Sequence, residues 1–296
     1  MSDPLRILHG PFGRAALLRL DRSMVLHAHR ECHVVLKIGG PDILFGIGER
    51  EHPVTVRNAL LINAWEPHFY HHRSSAAPTI LLALYLNSQW LKEVDRRFSR
   101  SAHPKFFTRP LVSMTPRLER LQDDVVELML QQVAPSSDIV EQWIAWIFEE
   151  VTALTTPPDR ALPLGVHGEL GYDARIRHAI GRLLSDSVAP VDLPALCASS
   201  GLSRAHFFRL FRSSTGLTPL AFINMLRLEA AVLSVSRRDA PLQDIAAQLG
   251  FDSAANFARF FTGQQGVAPS KYRKVVEFVD PGAKQPGIAA LEQAFT

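Results

Sequence analysis

The chain has little cysteine. Cys32 and Cys197 are the two in 296 residues, too few and too far apart for a disulfide framework or a cysteine-rich zinc site, so both are expected as reduced, buried thiols. It also lacks an uninterrupted apolar run near the roughly 20 residues that cross a bilayer, and the start MSDPLRILHG has no signal-peptide core. A cytoplasmic protein without a membrane partner is expected. Strong net charge is missing too, with 32 Lys+Arg against 29 Asp+Glu giving +3. The charge is uneven: Tyr172 to Val275 holds 13 basic against 7 acidic residues, a surplus of six, which leaves the rest of the chain at −3. A basic block on a near-neutral chain points to a polyanionic partner for that block alone.

At 47% hydrophobic residues the chain has material for two cores. Residues 1–112 carry short alternating or β-branched runs broken by Gly, Pro and Asn, such as MVLHAHRECHVVLKIGG, DILFGIG, HPVTV, ALLINAW and TILLALYL. These predict an antiparallel sandwich or barrel. Residues 113–154 predict two amphipathic helices. Thr115-Pro116 is a cap and first-turn pair before Leu118, Leu121, Val125 and Leu128, and Ser137-Asp138 precedes Ile139, Val140, Trp143, Ile144, Ile147 and Val151. Such a pair packs on the barrel or also joins a second subunit, making a homodimer. Residues 155–171, rich in Pro and Gly, form a linker. Residues 172–275 look helical throughout, with Asp173 as a cap. The tail, residues 276–296, looks loosely ordered.

The strongest pattern is a repeat with an offset of fifty. SRAHFFRLFRSSTGLTPLAF lies over SAANFARFFTGQQGVAPSKY, matching Ser203 to Ser253, Phe207 to Phe257, Arg209 to Arg259, Phe211 to Phe261, Gly216 to Gly266, Pro219 to Pro269 and Phe222 to Tyr272. In each copy a short helix (Leu193–Ser199; Leu242–Leu249), a turn with Gly201 or Gly250, and a serine cap open a second helix. This is a helix-turn-helix used twice. Phe207, Leu210 and Phe211, or Phe257, Phe260 and Phe261, should face the core. The opposite face presents Arg204, Ala205, Phe208, Arg209 and Arg212 in one copy. In the other it presents Ala254, Ala255, Ala258, Arg259 and Thr262, with Asn256 at its edge. Small residues allow close approach to base edges, and an arginine can fork onto guanine O6 and N7. Between the copies, a helix of about 18 residues from Pro219 spans roughly 27 Å, which suits two recognition helices one turn of DNA apart.

DIAAQLGFDSAANFARFFTGQQGVAPSKYR resembles the signature of the AraC/XylS family of bacterial transcription regulators, and the resemblance covers Tyr172 to Lys274. It implies an α+β multidomain chain with a cupin-like sensor barrel, a dimerising helical pair and an all-α domain of two helix-turn-helix units. It also implies double-stranded DNA, a small-molecule effector and, for an activator, RNA polymerase as partners. The base-reading helices then correspond to Arg204–Arg212 and Ala254–Thr262. Phe208 departs from the polar residue usual at its position; it touches a thymine methyl or turns inward.

A second cluster is HAHRECH. On one strand His27, His29, Glu31 and His33 would share a side, and NAWEPHFYHH adds His68 with Trp65 nearby. The pattern is similar to the two motifs of metal-holding cupin barrels, although His33 stands where their glutamate would be. His27, His29, His33 and His68 could bind Zn, Fe, Ni or Cu. Alternatively these residues line a metal-free effector pocket, or the histidines merely satisfy one another. An enzyme is not expected, since nothing else supplies a substrate mechanism.

Overall fold

In a computed structural model, the described residues are 3–72, 77–131, 135–155, 173–185 and 191–279. Most of the expected linker (156–171) and of the expected tail (280–296) lies outside them. The chain divides into two compact units, Met1–Arg160 with Phe261–Gln285, and Ala161–Phe260 with Pro286–Thr296.

The first unit is built on strands β1 (Asp3–Gly10), β2 (Gly13–Leu20), β3 (Met24–His27), β4 (Cys32–Gly39), β5 (Ile43–Ile47), β6 (Arg50–Val54), β7 (Asn58–Ile62), β8 (His68–Tyr70), β9 (Thr79–Leu86), β10 (Leu111–Ser113) and β11 (Val276–Phe278). They make a seven-stranded sheet, β10-β7-β4-β9-β2-β1-β11, and a four-stranded sheet, β3-β8-β5-β6. Both faces of the large sheet are covered. That is why β4 and β9 read as near-continuous apolar runs rather than as clean alternation.

One face carries Ala15, Leu17, Val34, Leu36, Leu61, Leu82 and Leu84. It shares a core with helices α2 (Pro116–Leu130) and α3 (Ser137–Thr155) through Leu118, Val125, Ile144, Ile147, Phe148 and Val151. The Thr115 cap forms as its sequence implies, accepting from the Leu118 amide at 3.1 Å. A short helix, α1 (Ser88–Val94), follows β9 and buries Trp90 and Leu91. The alternate positions, among them Arg14, Ala16, His33, Ala83 and Tyr85, point to the other face.

Two expectations change here. His27 to His33 is not one strand: β3 ends at His27, residues 28–31 turn, and β4 begins at Cys32 in the other sheet. Nor are the first residues of the expected loose tail unpaired, because Val276–Phe278 pairs in parallel with Ile7–His9 of β1, and Arg6 salt-bridges Glu277 at 2.5 Å.

The second unit contains α4 (Ala174–Ser185), α5 (Leu193–Ser199), α6 (Arg204–Thr215), α7 (Pro219–Arg237), α8 (Leu242–Gln248) and the first half of α9 (Ala254–Gln265). The rest of α9 and α10 (Pro269–Val275) belong to the first unit. Asp192, Ser203 and Thr218 each cap a helix through a side-chain oxygen. Gly216 ends α6 with φ 76°, left-handed backbone that glycine adopts without strain. Although Arg227 and Glu229 interrupt it, α7 is long and apolar enough, by length and composition, to cross a membrane. Ten of its residues, including Phe222, Met225, Leu226, Leu228 and Val235, are nevertheless buried within the fold.

Candidate functional site

In both duplicated helices the core phenylalanines are where the repeat puts them. Phe207, Phe211, Phe257 and Phe261 are 0% exposed, whereas Leu210 and Phe260 are half-buried at the helix flank instead of in the core. The opposite face of α6 exposes Arg204, Ala205, Arg209 and Arg212; that of α9 exposes Ala255 and Arg259, with Ala254, Asn256 and Thr262 half-buried. Arg204 sits 5.5 Å from the centroid of the half-buried Phe208 ring, so the ring supports that arginine. Asn256 accepts a hydrogen bond from Arg259 and fixes its direction.

The first unit holds a second constellation, set by strand register. Across neighbouring strands, His33 of β4 pairs with Tyr85 of β9, Tyr85 with Arg14 of β2, Arg14 with His9 of β1, and His9 with Phe278 of β11. Five side chains thus form one cross-strand row. The Arg14 guanidinium lies 3.7 Å from the Tyr85 ring centroid and donates to Gln265 Oε1 at 3.0 Å and to the Tyr272 hydroxyl at 3.1 Å. His9 meets the same hydroxyl at 3.1 Å. Gly13, at φ 110°, permits the approach: a Cβ there would stand 2.3 Å from the Tyr85 carbonyl oxygen.

At the other end of the row the expected histidines converge. His27 and His68 pair across β3 and β8 with ring centroids 4.3 Å apart. His29 lies 5.0 Å from His27, 5.5 Å from His68 and 4.7 Å from His33, and His33 lies 5.0 Å from His68. All four are buried. Burial lowers the pKa of His27 to about 4, and it holds His29, His33 and His68 well below the ordinary value with help from neighbouring rings. They are therefore neutral imidazoles at pH 7.

A family of AraC-like ligand binding domains matches residues 19–146, and a family of helix-turn-helix domains matches residues 196–275. The chain thus carries an AraC-like ligand-binding domain followed by a helix-turn-helix domain. Over 102 residues it is 31% identical to the HTH-type transcriptional regulator MtrA of Neisseria gonorrhoeae, covering 34% of each chain. Over 142 residues it is 31% identical to the RCS-specific HTH-type transcriptional activator RclR of Escherichia coli, covering 48% of this chain and 45% of that one. The chain thus spans between a third and a half of these two relatives' lengths. With the HTH-type transcriptional activator RhaR of Cronobacter sakazakii it shares 23% identity across 84% of this chain and 86% of the other. Apo ToxT K231A from Vibrio cholerae matches in structure with a TM-score of 0.55 at 14% identity, over 89% of this chain and 97% of that one, a likeness of fold.

Within the AraC-like ligand-binding domain, Glu31 does not join the histidines. It pairs with Arg30 at 3.1 Å, because the turn at residues 28–31 takes it off their side. Trp65 sits half-buried at φ 64°, and its amide donates to the His29 carbonyl at 2.7 Å, so its backbone fixes the histidine loop. Sequence reasoning missed Arg14, Tyr85, His9, Gln265 and Tyr272. The available signal was Arg14, one of two charges within the apolar run of GRAALLRL and the one that is buried.

Proposed function

We propose that this chain is a sequence-specific transcription regulator, an activator as its relatives RclR and RhaR are named, acting on double-stranded DNA in the cytoplasm as a homodimer. Its two helix-turn-helix units enter successive major-groove segments. Arg209 and Arg259 fork onto guanines; Arg204, Ala205, Phe208, Arg212, Ala254, Ala255, Asn256 and Thr262 complete the two surfaces. As an activator its further partner is RNA polymerase. The observation that carries this reading is the duplicated helix that buries Phe207 and Phe211, or Phe257 and Phe261, completely while Arg209 and Arg259 stay exposed.

The barrel is the effector domain. His27, His29, His33 and His68 line its polar interior, and the row through Tyr85 to Arg14 ends on Gln265, the last residue of the second recognition helix. An occupant that shifts His33 or Tyr85 therefore changes how Arg14 holds that helix, favouring one population of DNA-binding states over another. Selection from a random duplex pool tests the reading. The full chain should enrich a site with two segments about one helical turn apart; no enrichment over random duplex contradicts it.

A further inference from the structure

The histidine cluster is built as a metal site. The donor atoms of His27, His29 and His68 lie within 4.8 Å of one another, and all three residues are buried. His27 directs Nδ1 at the Val25 carbonyl, 2.6 Å away, and His68 directs Nδ1 at the Glu66 carbonyl, 2.8 Å away. A neutral imidazole that donates through Nδ1 carries its lone pair on Nε2. A backbone carbonyl on the far nitrogen is the arrangement that orients and strengthens a metal-binding histidine. His29 Nε2 and His33 Nε2 are buried with no hydrogen-bond partner among the described residues, an unfavourable state that a ligand would remove.

We propose that His27, His29 and His68, with His33 beside them as a fourth donor, bind one divalent transition metal ion of the zinc class inside the barrel. The inference deepens the reading of the barrel as the effector domain. Zinc–nitrogen bonds of about 2.0–2.1 Å require donors about 3.3 Å apart, so each of the three imidazoles closes in by under about 1 Å. Neutral nitrogen donors without a carboxylate or thiolate suit Zn(II), Cu(II), Ni(II) or Fe(II) and disfavour Mg(II) and Ca(II). Arg14, farther along the row, adds positive charge and favours an anionic ligand at any open position.

The test uses the full chain, stripped with a chelator and titrated with Zn(II) by calorimetry, with elemental analysis of the product and with Co(II) as a spectroscopic stand-in. The expected result is one ion per chain, visible Co(II) bands of a nitrogen-rich site, and a Zn(II)-dependent rise in Tm. Affinity should fall by at least about 100-fold in His29→Gln and in His68→Gln. It should be unchanged in His71→Gln, whose side chain is exposed. Absence of stoichiometric uptake by the wild-type chain overturns the inference, as does uptake unaltered in both His29→Gln and His68→Gln; the wild-type Co(II) spectrum decides the matter if those variants fail to fold. Binding of the selected duplex is measured on the same preparations. DNA binding without metal uptake overturns the metal site and leaves the regulator, while metal uptake without DNA binding does the reverse.

Discussion

The two helix-turn-helix copies share a core but differ at its end. In the first, Phe211 and Phe222 meet at 5.5 Å; in the second, Phe261 and Tyr272 meet at 5.4 Å in the same relation. Thr215, however, bonds locally, to the Phe211 and Leu217 carbonyls, whereas Gln265 at the matching place takes Arg14 of the barrel. Tyr272 differs from Phe222 by the one hydroxyl that Arg14 and His9 use. A Cβ on Gly266 would meet Leu20 and Met24, while one on Gly216 would meet nothing. Duplication therefore fixed the packing, and a few polar atoms tie one copy to the effector domain.

Phe207→Ala and Phe257→Ala test the shared core and carry the largest effect. Each should cost about 3–5 kcal/mol in denaturant melts; a difference beyond about 1 kcal/mol between them would break the equivalence. Of the two copies, acidification should loosen the second more than the first, along with the barrel, whose buried histidines have pKa values lowered in the same direction. Burial, then the charge of Arg14, lowers the pKa of His9 to about 3 from an ordinary 6.5. The unfolded chain gains a proton below pH 6.5 that folded His9 refuses, so the stability is complete above 6.5 and drains as pH falls. At about 1.4 kcal/mol per unit, the loss from His9 by pH 4 is about 3 kcal/mol. Hydrogen exchange should show α10 opening before α7; the reverse order would count against the tie.

On DNA the copies should look alike. Arg209→Ala and Arg259→Ala should each cost about 1–3 kcal/mol on the selected site and relax one base position. Uniform weakening on every sequence would mean that they hold phosphates. Tyr272→Phe, which turns the second copy into the first at this position, should cost about 1 kcal/mol. Thr218→Ala, which removes the cap of α7, should cost a similar amount in melts while leaving α10 exchange unchanged.

Local signals made most of the helical unit legible. Serine and threonine caps, Pro219 at a first turn and phenylalanines at three- and four-residue steps placed α5 to α9 almost to the residue. The strand runs were legible too, since each is several residues of one pattern. The row through Arg14 was not, because it is made by register among five strands, one of which, β11, joins β1 from more than 260 residues away in sequence. The histidines were found for an incomplete reason. Alternation along a strand brings together residues of one sheet, yet His27 of β3 and His33 of β4 reach the same neighbours, His29 and His68, from two different sheets.

The most direct measurement is the protection footprint of the selected duplex with the wild-type chain and with Arg14→Met. Unchanged protection over the first segment with weakened or displaced protection over the second is the expected result. Equal change at both segments, or change at neither, would contradict the claim that the barrel governs one copy and not the other.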